Sequence, residues 1–143
     1  MQGRNVFFMN KLLISIVFIL CSLASHSQKP TPASCSYAIG LPKADIIKAL
    51  GYSYTIKSNE NGSAFLEYSF DGFKQTFYLN SSGDCYYGVC WLDNDFVYLK
   101  AMELLNKECK WVSNATWVND GGVVIQAKED KYPSGTIYTL TFR

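Results

Sequence analysis

The stretch Ser63-Ala-Phe-Leu-Glu-Tyr-Ser-Phe70-Asp71-Gly72-Phe73-Lys-Gln-Thr-Phe-Tyr-Leu-Asn80 reads as two strands folded back on each other. In its second arm Phe73, Phe77 and Leu79 alternate with Lys74, Thr76 and Tyr78, the period-two pattern of a strand with one buried and one solvated face. Asp71-Gly72 supplies the residue types that accept the positive φ of a two-residue hairpin turn. The fold class therefore turns on an antiparallel hairpin.

Working outward, Tyr52, Tyr54 and Ile56 alternate in the same way before the turn signal Asn59-Glu60-Asn61-Gly62. Downstream, Ser81-Ser82-Gly83-Asp84 turns into the aromatic run Cys85 to Leu92, completing a four-strand meander. The period lengthens to that of a helix on either side. Leu41, Ala44, Ile47 and Leu50 share a face, and Gly51 follows as a stop. Asp93 to Glu108 places Phe96, Leu99, Ala101, Met102 and Leu105 at helical spacing, with Asp93 suited to cap the first turn. Strands Trp111–Val118 and Val123–Lys128 then flank Asn119-Asp120-Gly121-Gly122, a loop spans Glu129 to Gly135, and Thr136 to Phe142 closes the chain. The reading is α+β: an antiparallel meander sheet packed by two helices, in the order αββββαβββ. Helix, glycine-bearing turn and strand recur at an offset of about 60 residues, the spacing a duplicated helix-plus-strands unit would leave.

Ahead of this domain, Arg4 and Lys11 precede the apolar run Leu12 to Cys21, and a small polar exit reaches Gln28. That is the layout of a cleavable signal peptide over 1–27, and its apolar core is about half the roughly 20 residues a membrane span needs. Cys21 lacks the small preceding residue that lipidation requires, since Leu20 stands there. Residues 28–36, rich in proline and small polar side chains, read as a flexible lead-in, and 37–143 as a single domain. Cleavage before Gln28 leaves 116 of the 143 residues, with 11 basic against 12 acidic side chains. A near-neutral exported domain with no basic stripe is not built for nucleic acid, and nothing after cleavage would span a membrane.

The only histidine, His26, lies in the leader, and Arg143 is the only arginine beyond it. Histidine-dependent triads, Cys-His dyads and His-ligated zinc are thereby excluded from the domain. No phosphate loop, nucleophile elbow or dinucleotide fingerprint occurs, so the sequence calls for no cofactor. Asp93-Asn94-Asp95 lacks the glycine and closing glutamate of a calcium loop and reads as a helix cap. Glu129 and Asp130, between two lysines, read as solvated surface.

Four cysteines follow the leader, Cys35, Cys85, Cys90 and Cys109, an even count that in a small exported chain reads as disulfides. A strand from Cys85 and a helix returning to Glu108 have similar lengths, which brings Cys109 back beside Cys85. Cys35 is then left for Cys90. The five-residue spacing of Cys85 and Cys90 opposes this, placing them on opposite sheet faces unless Gly88 bulges the strand.

Aromatic side chains dominate what remains, with ten tyrosines and three tryptophans. Parity sets Tyr87, Val89 and Trp91 against Tyr86 and Leu92. Tyr78, Tyr86 and Trp91 are the candidate contact residues for a protein or glycan, tyrosine and tryptophan being strong contact formers.

The export signal, then Leu41-Pro-Lys-Ala-Asp-Ile-Ile-Lys-Ala-Leu-Gly51, then hairpin strands resembles the small exported domains of the β-lactamase inhibitor protein and outer-membrane-assembly lipoprotein type. It is similar also to other small exported bacterial proteins. The likeness covers an architecture and one short motif, and carries no functional residue across. The leading expectation is a noncatalytic binding module of the envelope or exterior with an exposed aromatic sheet face as its contact surface, and a secreted inhibitor as a variant. The rival expectation is a small hydrolase using two carboxylates.

Overall fold

The structure, a computed structural model, describes residues 29–51 and 53–143, so the expected signal peptide lies outside the described residues. Helix α1 (Lys43–Leu50) precedes strands β1 (Tyr54–Ser58), β2 (Ala64–Phe70), β3 (Phe73–Leu79) and β4 (Cys85–Leu92). Helix α2 (Asp95–Glu108) precedes β5 (Lys110–Ser113), β6 (Thr116–Val118), β7 (Val124–Tyr132) and β8 (Gly135–Phe142). The eight strands form one antiparallel sheet in the order β1-β2-β3-β4-β8-β7-β6-β5. Helix α2 carries the chain from β4 to the far edge, and three hairpins walk it back until β8 pairs with β4.

The fold is α+β and dominated by its sheet, with one strand more than the expected order. Asn114-Ala115 splits the run Trp111–Val118 in two, with Ala115 at φ 53°. An alanine in the left-handed region carries none of the Asn-Gly signal by which such turns are read. The loop expected over 129–135 is mostly strand, because β7 and β8 stay paired out to Tyr132 and Gly135.

Both helices lie on one sheet face. One transverse row there crosses all eight strands, Ile56–Leu66–Phe77–Gly88–Phe142–Ile125–Trp117–Trp111. Leu66, Phe77, Phe142 and Ile125, with Ile46 of α1 and Ala101 and Leu105 of α2, are at most 1% exposed. Burying each large apolar side chain contributes about 1.5–3 kcal/mol. Gly88 sits mid-row because a Cβ there would meet Phe142 Cδ2 at 3.0 Å and Gln75 Nε2 at 3.1 Å. It marks a close approach rather than a bulge. The bulge lies at Tyr86 instead, since Tyr78 pairs with Tyr87 while Leu79 pairs with Cys85. One extra residue restores parity, and Cys85 and Cys90 are both buried toward the helices.

Helix α1 buries Ile46, and the expected stripe is rotated, with Leu41 and Ala44 exposed. The backbone of Leu41 is engaged elsewhere: its carbonyl accepts from Cys85 N at 2.9 Å, and Gly40 N donates to Cys85 O at 2.7 Å. The helix therefore begins after Pro42 and ends at Gly51, at φ 89°. In α2, Asn94 rather than Asp93 is the cap, its Oδ1 accepting from Val97 N at 3.0 Å. Phe96 and Leu99 fall outside the buried stripe and are exposed.

Part of the expected lead-in packs against the sheet where the structure describes it. Ser34–Ala38 forms a 3-10 turn, and Ala33, Cys35, Ser36 and Ala38 are buried. Thr31 and Ser34 cap each other, Thr31 N donating to Ser34 Oγ at 2.9 Å and Ser34 N to Thr31 Oγ1 at 3.0 Å. Asn119 Nδ2 donates to Ser36 Oγ at 3.0 Å, tying the turn to the β6–β7 connection. Small side chains let this backbone lie close to the sheet. Among the described residues no helix is long and apolar enough to cross a membrane. The outermost strands, β1 and β5, are short, with four of five and four of four residues exposed.

Candidate functional site

The sheet face opposite the helices is built from the other parity. Its first row is Lys57–Phe65–Tyr78–Tyr87, and its second includes Thr55–Glu67–Thr76–Val89. A third runs Ser69–Lys74–Trp91–Thr139–Lys128. The register stacks the aromatic rings directly: Phe65 and Tyr78 have centroids 5.5 Å apart, and Tyr78 and Tyr87 5.7 Å apart. Such tilted pairs contribute about 0.5–1.5 kcal/mol each beyond their burial. Burial, and then the neighbouring Tyr87, push the Tyr78 phenol above its ordinary value. It stays a neutral hydrogen-bonding group near neutral pH.

A groove of about 470 Å³ opens on this face, lined by Phe65, Glu67, Lys74, Thr76, Tyr78, Trp91 and Asp93. Trp91 is 44% exposed. Glu67 Oε1 lies 3.0 Å from Lys57 Nζ and 3.8 Å from Lys74 Nζ, so its carboxylate is engaged between two ammonium groups. The arrangement offers apolar ring faces beside a fixed charge cluster, which suits recognition of a mixed polar and apolar surface.

Tyr78 and Trp91, two of the three expected contact residues, thus share a groove. Tyr86 does not join them. Carried by the bulge, it lines a separate cleft of about 680 Å³ between turns, with Lys43, Asn61, Ser63, Asn80 and Ser81. Sequence reasoning passed over Phe65 and Tyr87. Tyr87 shares parity with Trp91 and was legible on that ground; Phe65 enters only through the β2–β3 register.

Two carboxylates, Glu67 and Asp93, line the groove. Glu67 is two strands from β4, and Asp93 lies four residues beyond Val89, its cross-sheet row mate. At about 4.8 Å between strands and 3.3 Å per residue the backbones are roughly 16 Å apart. Glu129 and Asp130 are on β7, in ion pairs with Lys131 at 3.3 Å and Lys128 at 2.9 Å. No group of three or more His, Cys, Asp or Glu is gathered to hold a metal ion among the described residues.

Cys35, Cys85, Cys90 and Cys109, the cysteines among the described residues, are free thiols in the structure, and neither expected bridge is present there. For Cys85 and Cys109 the topology supplies the reason. The length match assumed that α2 returns alongside β4, but it crosses to β5, and β8, β7 and β6 lie between. Three to four strand spacings are about 14–19 Å, against a Cα separation of at most about 7 Å for a disulfide. Cys109 instead neighbours Tyr37 and Asp120. Compared with known proteins, the chain matches no protein family, no curated protein and no solved structure.

Proposed function

We propose that the chain is an exported, noncatalytic binding module whose contact surface is the aromatic part of the open sheet face. The observation that carries this is the Phe65–Tyr78–Tyr87 ladder with half-exposed Trp91 beside it, on the face that neither helix covers. Aromatic rings around a shallow groove, with a charge cluster at its side, make the kind of centre from which protein contacts draw most of their energy. Glycan stacking uses the same rings. The leader supports an envelope or extracellular setting, and a secreted inhibitor would be one form of this reading. A helix followed by a four-strand meander, in each half, supports both the doubled-unit reading and the likeness to exported inhibitor-type domains.

The test compares the exported chain with Trp91→Ala and Tyr78→Ala, each immobilised and exposed to envelope proteins, culture proteins and a glycan panel. Wild type should retain a specific ligand, the two variants should lose it at least tenfold, and Gln126→Ala, on the polar part of the same face, should keep it. Equal retention by all, or no specific ligand for wild type, overturns the reading.

A further inference from the structure

Working back from α1, the chain runs antiparallel to β4. Pro42 bridges Asp84, Gly40 and Leu41 bond to Cys85, and Ile39 Cδ1 lies 3.7 Å from where a Cβ of Gly88 would stand. As its residue numbers fall, the segment advances along β4 toward Cys90. From Ile39 back to Cys35 is four residues of tight turn, about 8 Å at 2.0 Å per residue. From Gly88 to Cys90 is two residues of strand, about 6.6 Å on the same face. Cys35 and Cys90 are both buried in one apolar cluster. From this geometry we propose that Cys35 and Cys90 form a disulfide, a covalent latch holding the 3-10 turn on the sheet, while Cys85 and Cys109 remain thiols.

The electrostatics agree with the proximity, since burial and then Cys35 raise the Cys90 thiol. Burial also pushes the Cys35 thiol up to about 12 and that of Cys85 up to about 11. Thiolate is the reactive form, so buried thiols exchange slowly. The latch therefore closes during folding, before the turn docks. Each thiol loses its proton, one S–S bond forms, and a dithiol–disulfide oxidant of the export compartment takes up the two electrons and two protons and is itself reduced to a dithiol. Once closed, the bond is shielded from reductant by the same burial.

The full chain is exported from an oxidising host and denatured without reductant. Its free thiols are blocked with iodoacetamide, and the remainder is reduced, labelled with N-ethylmaleimide and mapped by mass spectrometry. Cys35 and Cys90 should carry the second label, and Cys85 and Cys109 the first. The Cys85→Ser/Cys109→Ser double variant should keep the bridge and, like wild type, lose roughly ten degrees or more of melting temperature on reduction. Cys35 or Cys90 carrying the first label, or any other pairing, overturns the proposal. So does a melting temperature that reduction leaves unmoved.

Discussion

The two halves of the sheet each run as a helix and then a four-strand meander, yet they differ at the centre of the open face. Strands β2 to β4 set out Phe65, Tyr78, Tyr87 and Trp91, whereas β6 to β8 set out Thr116, Gln126, Lys128, Thr139 and Thr141, with Tyr132 and Ile137 only toward the β7–β8 turn. The buried helix-facing residues are mainly apolar in both halves, with Gln75 as an exception in the first. Architecture is therefore maintained by the covered face, and the open face is free to differ. Threonine and glutamine serve the second half well, so the fold does not require aromatic rings in the first.

The comparison holds only if the halves share one core, and the largest expected effect tests that. Phe77→Ala, at the centre of the first half, should cost about 3–5 kcal/mol, and Trp117→Ala in the second a similar amount. Both should unfold in a single transition when followed by fluorescence and circular dichroism. A two-step transition would separate the halves and break the comparison.

The next effect depends on pH. Burial, and then Tyr54, push the Tyr68 phenol from its ordinary 10 up to about 12, and its hydroxyl donates to Gly51 O at 3.0 Å. A raised folded-state value means that the unfolded chain releases this proton first. Stability is thus intact below pH 10 and falls as pH rises to about 12. The second half buries Trp117, whose indole donates to Asn106 Oδ1 at 2.8 Å and does not titrate. Tyr68→Phe should flatten the alkaline limb of urea denaturation midpoints while lowering stability at neutral pH.

A smaller effect sharpens the contrast within a single row. Gln75–Cys90–Leu140–Ala127 crosses from the first half to the second on the covered face, and only its first member carries a buried amide. Gln75 Nε2 donates to Thr76 O at 3.1 Å, while Oε1 has no partner. Gln75→Met should stabilise by about 1 kcal/mol, by removing an unsatisfied acceptor at nearly constant volume; a loss of stability would mean that the amide has a role. The smallest change is Ala115→Gly, which relieves a left-handed alanine in the second half and should add up to about 1 kcal/mol. Chemical denaturation measures both.

What the sequence made legible follows locality. Period-two alternation around Asp71-Gly72 identified β2 and β3 and assigned Lys74, Thr76 and Tyr78 to the open face, because each side chain's face is set by its immediate neighbours. The β4–β8 pairing joins residues about fifty positions apart in the chain, and no local pattern encodes it. Without that pairing, the return of α2 beside Cys85 was the natural inference. The bulge at Tyr86 was missed for a related reason: it depends on how β4 meets Leu79, and Gly88, the residue that usually announces such irregularity, was needed to make room for Phe142. The docking of Cys35 and Ser36 was not legible because proline and small polar residues describe a loose linker and a docked turn equally well.

The sheet never closes on itself, and β1 and β5 leave its two margins bare. Each offers a row of backbone donors and acceptors to any passing extended segment, so the molecule is in principle a divalent monomer able to polymerise edge to edge. Brevity limits that valence. Strands of five and four residues give a newcomer few bonds in which to gain a foothold, and Lys57 and Lys110 place charge on those margins. Resistance to edge-to-edge association is thus a property of its margins rather than of its core.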